Sequence, residues 1–281
     1  MKDVKGSLAV ITGGASGIGY GLASAFGKAG ARPMLLDIEA KALDAAVAKL
    51  VATGIDAAGA VVDVTDRQAM RQVAGEIEAA HGPIHMLCNN AGVGTADPLQ
   101  IARGDDWDWV LSVNLMGVIN GLLAFLPAMT RHGEPGHIVN TASVAGLFPM
   151  RDIGIYNTSK FAVIGLTETL RDDLAGTTIG VSALCPGYVN TNINQSRRNR
   201  QAAFGASRPP QISADAMRAI DRALKTRGLA PEAVGEMVLD GMRRDLFYIV
   251  TDPTFWLPVR RRFERMAHDI AALHGGLPAS E

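Results

Sequence analysis

Tyr156 and Lys160 stand four residues apart in Tyr-Asn-Thr-Ser-Lys, with Ser143 thirteen positions upstream and Asn114 earlier still. On a helix, an i, i+4 spacing stacks the phenol and the ammonium on one face. A free phenol ionises near pH ~10 and is a poor acid or base near neutrality. A cation held beside it favours the phenolate, and a shift of ~3 units needs roughly 4 kcal/mol of differential stabilisation. Such a pair can move a proton on or off an alcohol oxygen. The same spacing arises by chance on many helices, so the elements around it must carry the argument.

Those elements alternate. Short apolar runs at residues 7–12, 32–37, 57–62, 85–88, 136–141, 180–184 and 247–251 read as strands. Helical patterns at 18–29, 40–51, 67–81 and 107–129, and one carrying Tyr156 and Lys160 to about 175, separate them. This order predicts an α/β, doubly wound, seven-stranded parallel sheet with helices on both faces. In such a sheet the carboxyl ends of the strands share one edge. The unusual polar clusters all follow strands, on that edge.

The first cluster is Thr-Gly-Gly-Ala-Ser-Gly-Ile-Gly at residues 12–19. Glycines there permit a tight turn and let backbone N–H groups approach a pyrophosphate at a helix N-terminus. The alternative is an ordinary glycine-rich turn, which the flanking strand and helix disfavour. The candidates are Gly13, Ser16, Gly17, Ile18 and Gly19. Asp37 ends the second strand, where a carboxylate accepts hydrogen bonds from the adenosine ribose and repels a 2′-phosphate. Ile38 and Glu39 follow it, with no adjacent basic residue, and Ala15 adds none from the loop. NAD is therefore expected over NADP. Asp63 and Val64 are placed to contact the adenine, and Asn90 to hold the adenosine or nicotinamide side. Asp63 is equally a candidate helix N-cap. An oxidised nicotinamide would add a second positive charge beside the phenol.

Together these residues resemble the short-chain dehydrogenase/reductase family, in its compact single-domain branch. The matching pieces are residues 12–19, Asp63, 89–92, Asn114, Ser143, Tyr156 with Lys160, and Pro186-Gly187 with Thr191. They appear in the family's order. The resemblance implies Tyr156 as general acid/base, and Lys160 holding the nicotinamide ribose and lowering the phenol pKa. It implies Ser143 orienting the substrate oxygen and Asn114 supporting a relay water. Pro186, Gly187, Val189 and Thr191 would lie along the nicotinamide. Taken alone, Ser143 reads as a helix N-cap and Asn114 as a helix-bending residue. The family also implies a homodimer or homotetramer acting on a small-molecule alcohol or ketone. Residues 192–205 and 247–250 are loosely similar to lignin-related Cα-dehydrogenases, which act on secondary benzylic alcohols.

The remaining features bound this reading. The chain has 281 residues, 48% of them hydrophobic and 20% charged, enough for one substantial domain over residues 1–281. A formal net charge of −1 gives no reason to expect nucleic acid or an anionic membrane. The first apolar run is too short for a signal peptide or a membrane span, so a cytoplasmic protein is expected. Cys88 and Cys185 lie in strand-like runs and read as buried free thiols. No cluster of cysteine and histidine suggests a metal.

Residues 192–227 read as a substrate lid. Arg197, Arg198 and Arg200 there either meet a substrate carboxylate or phenolate or, the favoured reading, decorate a solvated, mobile segment. Val144, Leu147, Phe148, Met150 and Ile153 are candidates for a pocket wall, or for core or oligomer contacts. A C-terminal tail at 255–281 reads as an amphipathic helix for subunit packing or a solvated face rather than a membrane. The leading expectation is an NAD-dependent enzyme interconverting a secondary alcohol and a ketone. An NADP-preferring carbonyl reductase and a non-catalytic NAD-binding protein are the alternatives.

Overall fold

The computed structural model describes residues 1–276. Its sheet has seven strands, all parallel: β1 (Leu8–Thr12), β2 (Arg32–Asp37), β3 (Ala58–Val61), β4 (Ile84–Asn89), β5 (Gly136–Thr141), β6 (Ile179–Cys185) and β7 (Tyr248–Val250). The spatial order is β3-β2-β1-β4-β5-β6-β7. The chain winds outward from β1 to β3, then returns to β4 on the other side of β1. That reversal leaves a crevice above the carboxyl ends of β1 and β4, where ligands of open α/β sheets bind.

Period-two alternation divides the core between the two faces. Ala9 and Ile11 of β1 pack with Leu22 and Phe26 of α1 (Gly17–Lys28) and Leu43 and Leu50 of α2 (Ala40–Ala52). Leu8 and Val10 face the opposite layer. There they join Met70 and Ile77 of α3 (Arg67–His81), Trp109 of α4 (Gly104–Leu111), Phe125 of α5 (Gly117–His132) and Ile155 of α6 (Gly154–Asp173). Cys88 and Cys185 are buried free thiols, and burial pushes both well above the ordinary thiol range.

The expected long helix is interrupted. α4 and α5 are joined by a π-helical turn, Ser112–Met116, with Asn114 at its centre. The combined helix Gly104–His132 is long and apolar enough to cross a membrane, yet half of its apolar window is buried within this fold.

Three further helices lie toward the C-terminus: α7 (Ala214–Thr226), α8 (Pro231–Arg243) and α9 (Trp256–His274). The pattern of strands did not anticipate α8. It packs backbone-to-backbone on α1, with Gly235 against the carbonyl of Gly21 and Gly21 against that of Pro231. Val234, Val238 and Met242 of α8 complete the first face's core. The tail is helical through His274 as expected, with its last residues, 277–281, outside the described residues.

Candidate active site

The N-terminus of α1 opens onto the crevice. Ser16 is its N-cap, but its side chain makes no capping bond. The first-turn amides of α1 thus keep their positive potential for an anion. Gly13 has φ +64° and Gly17 φ +53°, a region that disfavours side chains. A Cβ at Gly13 would lie 2.8 Å from the Ala91 Cα, so only glycine fits where the loop passes β4. Gly19, expected to bind cofactor directly, does not line the cleft. It lies behind the loop, where a Cβ would meet the Gly13 carbonyl and Asn90, and serves close packing instead.

Asp37 closes the far end of this loop. Its Oδ2 accepts from the Ala15 N–H at 3.0 Å and its Oδ1 from the Glu39 N–H at 3.0 Å. Asn90 is held by three bonds to β1 and the loop: its N–H donates to Thr12 Oγ1, and its Nδ2 to the carbonyls of Thr12 and Gly13. Asp63 is not a helix N-cap. Asp66 fills that role, accepting from the Gln68 and Ala69 N–H groups, because α3 starts three residues later than Asp63 would require. Asp63 accepts instead from Thr65 and from Gln201 of the lid, at 2.7 Å.

One cleft joins these groups to the proton-handling residues. It is lined by Gly13, Ser16, Gly17, Ile18, Asp37, Asp63, Val64, Asn90, Ser143, Tyr156, Lys160, Pro186, Gly187, Val189 and Thr191. Tyr156 and Lys160 share one face of α6, with Lys160 Nζ 5.6 Å from the centre of the Tyr156 ring. Nζ donates to the Thr141 carbonyl at 2.8 Å. Burial pushes the ammonium down to about 8. Burial also raises the Tyr156 phenol above its ordinary value, while the Ser143 hydroxyl acts against that rise.

Ser143 caps a short turn at the cleft. Its Oγ accepts from the Ala145 N–H at 3.1 Å, capping a 3₁₀ turn at Val144–Gly146, and it faces the Tyr156 phenol. Asn114 does not line the cleft. It is fully buried, its Oδ1 accepting from the Val93 N–H at 2.8 Å and its Nδ2 donating to the Val93 carbonyl and Ser159 Oγ. A Cβ at Gly92 would meet Asn114 Oδ1 at 3.4 Å and Lys160 Nζ at 3.6 Å, so both groups flank one spot.

The lid departs from expectation. Arg197 pairs with Asp97 at 2.9 Å, both largely buried. The Arg200 side chain is 2% exposed, pairs with Asp106, donates to the Phe204 and Gly205 carbonyls, and lies over the Trp109 ring. Arg198 pairs with Glu39. These arginines are structural fasteners rather than a solvated fringe, with Arg197 and Arg200 paired to the buried carboxylates of Asp97 and Asp106. Their carboxylate partners lie 94 to 159 residues away in sequence, beyond any local pattern. The lid also supplies cleft-lining residues that the sequence reading did not single out, Ile193, Ser196, Asn199, Gln201 and Leu224, beside the candidate Arg198. Ser196 Oγ accepts from the Gly94 N–H at 2.9 Å. The expected wall residues 144, 147, 148, 150 and 153 do not line this cleft. Val144 is buried in the core, and Phe148 stacks on Phe255 with ring centres 6.0 Å apart.

The profile of the short chain dehydrogenase family matches residues 7–202. The chain belongs to that family. It is 37% identical to a C alpha-dehydrogenase of Sphingobium sp. strain SYK-6 over 274 residues, covering 97% of this chain and 89% of that protein. A short chain dehydrogenase/reductase from Burkholderia phymatum, solved in complex with NAD, superposes with a TM-score of 0.90 at 37% identity, covering 100% of this chain and 99% of the other. The apo form of LigD from Sphingobium sp. strain SYK-6 superposes with a TM-score of 0.78 at 34% identity, covering 99% and 100%.

Proposed function

We propose that the protein is an NAD-dependent dehydrogenase, one catalytic domain that interconverts a secondary alcohol and a ketone on a hydrophobic or aromatic substrate. The observation that carries this is the single cleft running from Asp37, past the uncapped α1 N-terminus, to Ser143, Tyr156 and Lys160. The residues fit the coenzyme. The glycine turn and free amides suit a pyrophosphate, and the Asp37 carboxylate suits a ribose diol. The NAD-bound relative supports the choice of coenzyme. The C alpha-dehydrogenase relative, together with Val93, Val113 and Ile193 along the cleft, supports an apolar secondary alcohol. The same reading takes the enzyme as a homo-oligomer, as its family resemblance implies, working in the cytoplasm.

Bound NAD supplies the hydride acceptor. Ser143 Oγ holds the substrate oxygen beside Tyr156. As phenolate, Tyr156 takes the alcohol proton during oxidation; as phenol it returns one during reduction. Lys160, anchored on the Thr141 carbonyl, would keep positive charge next to the phenolate and would hold the nicotinamide ribose. Asn114 fixes the strand-end segment at Val93 and the α6 turn at Ser159, holding the site's two walls in register. The test is absorbance at 340 nm with 1-arylalkanols against primary and aliphatic alcohols, each with NAD and with NADP. NAD-linked oxidation of a 1-arylalkanol is the expected result. Tight NAD binding with no turnover across the alcohols would instead support a non-catalytic role.

A further inference from the structure

We propose that Glu39 selects the coenzyme by holding the lid guanidinium of Arg198 in an ion pair at the adenosine end of the cleft, which withholds Arg198 from a 2′-phosphate. The proposal rests on the NAD reading above. Along the sequence, nothing basic follows Asp37, and NADP is disfavoured on that ground alone. The fold changes the count of charges. Arg198, 159 residues from Glu39, comes down from the lid onto the β2–α2 loop. Arg198 Nη2 donates to Glu39 Oε1 at 2.6 Å and its Nε to Oε2 at 3.2 Å, a two-pronged pair. Asn199 Nδ2 adds a third bond to Oε1 at 2.7 Å. Arg198 holds the Glu39 carboxyl below its ordinary value, so the pair is charged near neutrality.

Asp37, Ile38, Glu39, Arg198 and Asn199 line the same end of the cleft. A guanidinium there has the fork geometry that suits a phosphate. Glu39 occupies that fork. Loss of its carboxylate would not release the arginine from the rim, because Nη1 also donates to the Gln195 carbonyl at 3.0 Å. The free guanidinium would then face the ribose with only the Asp37 charge opposing a phosphate. Both side chains of the pair are partly exposed, 39% for Arg198 and 30% for Glu39. Solvent screening keeps the effect moderate, on the order of a 5- to 10-fold change in relative affinity.

The experiment measures dissociation constants of NAD and NADP by titration calorimetry for the wild type, Glu39→Gln, Arg198→Gln and the double variant. The readout is the ratio of the two constants, with a thermal melt of each variant as a folding control. Glu39→Gln is expected to move the ratio toward NADP by about 5- to 10-fold, and Arg198→Gln in that background to return it to within about 2-fold of the wild type. A double variant that keeps the full gain overturns the proposal, since carboxylate repulsion alone then explains it. So does a Glu39→Gln ratio equal to the wild type's. A wild type that binds neither coenzyme overturns the NAD reading, and this proposal with it; a wild type that binds NAD leaves that reading standing whichever way the variants fall.

Discussion

At Tyr156 two environmental effects oppose one another. Removal from water favours the neutral phenol, and the Ser143 hydroxyl favours the phenolate. The sign for Ser143→Ala follows. Losing a group that lowers the phenol pKa leaves it higher, so the phenolate needed for alcohol oxidation forms only at higher pH. The rising limb of kcat/KM against pH should move to higher pH in Ser143→Ala, with a lower plateau. An unmoved limb would remove Ser143 from phenol activation. Tyr156→Phe should cut turnover by ~10²–10⁴ while NAD affinity stays within a few-fold, as for a positioned acid/base. Sequence spacing made this pair legible, because an i, i+4 relation survives any tertiary arrangement of the helix. The balance of burial against charge was not legible. It depends on how the folded chain surrounds the ring, where burial opposes the Ser143 hydroxyl and the nearby Lys160 ammonium is turned to the carbonyl of Thr141 at the end of β5.

Among the elements, the lid is where sequence reading failed most clearly. A run of arginines with few aromatics reads as a solvated segment. Here Arg197 and Arg200 are drawn under the lid by Asp97, Asp105 and Asp106. Breaking a buried pair by removing one partner leaves the other charge uncompensated and costs about 3–5 kcal/mol. Arg200→Met should therefore loosen residues 192–213 locally while the sheet stays intact. Limited trypsin digestion should cut the variant in that segment at least ~10-fold faster than the wild type, since local opening governs such cleavage. Equal cleavage rates would show that the ion pairs do not hold the lid. The helix α8 was missed for a related reason. Its anchor on α1 is a pair of glycines, Gly21 and Gly235, whose role is the absence of a side chain. Gly235→Ala should lower stability by about 1–3 kcal/mol, read as a shift in the urea midpoint, because the new Cβ meets rigid backbone.

For the molecule as a whole, the strand–helix alternation was readable because fully buried parallel strands leave uniform apolar runs. The crevice at the reversal between β1 and β4 followed from it. What sequence could not show is the buried polar cost inside the sheet. His137 of β5 is fully buried, and its Nε2 bonds Ser182 Oγ of β6 at 2.8 Å. Ser182 Oγ donates to the Leu246 carbonyl, so it accepts from His137 and fixes the Nε2–H tautomer. Gly180 gives the ring its space, since a Cβ there would lie 2.5 Å from Nδ1. Burial holds the imidazole down to about 3, against an ordinary value of 6.5. Between those two values the unfolded chain binds a proton that the folded one refuses. Stability should thus fall as pH drops below about 6.5, by up to about 1.4 kcal/mol per unit from this group, until about pH 3. His137→Asn should start less stable at pH 7 but lose stability less steeply on acidification. Urea unfolding of both proteins at pH 7, 6, 5 and 4.5 measures the two slopes. Identical slopes would show that the global acid sensitivity arises elsewhere, while a variant shallower by about 1 kcal/mol per unit would assign it to this one buried ring.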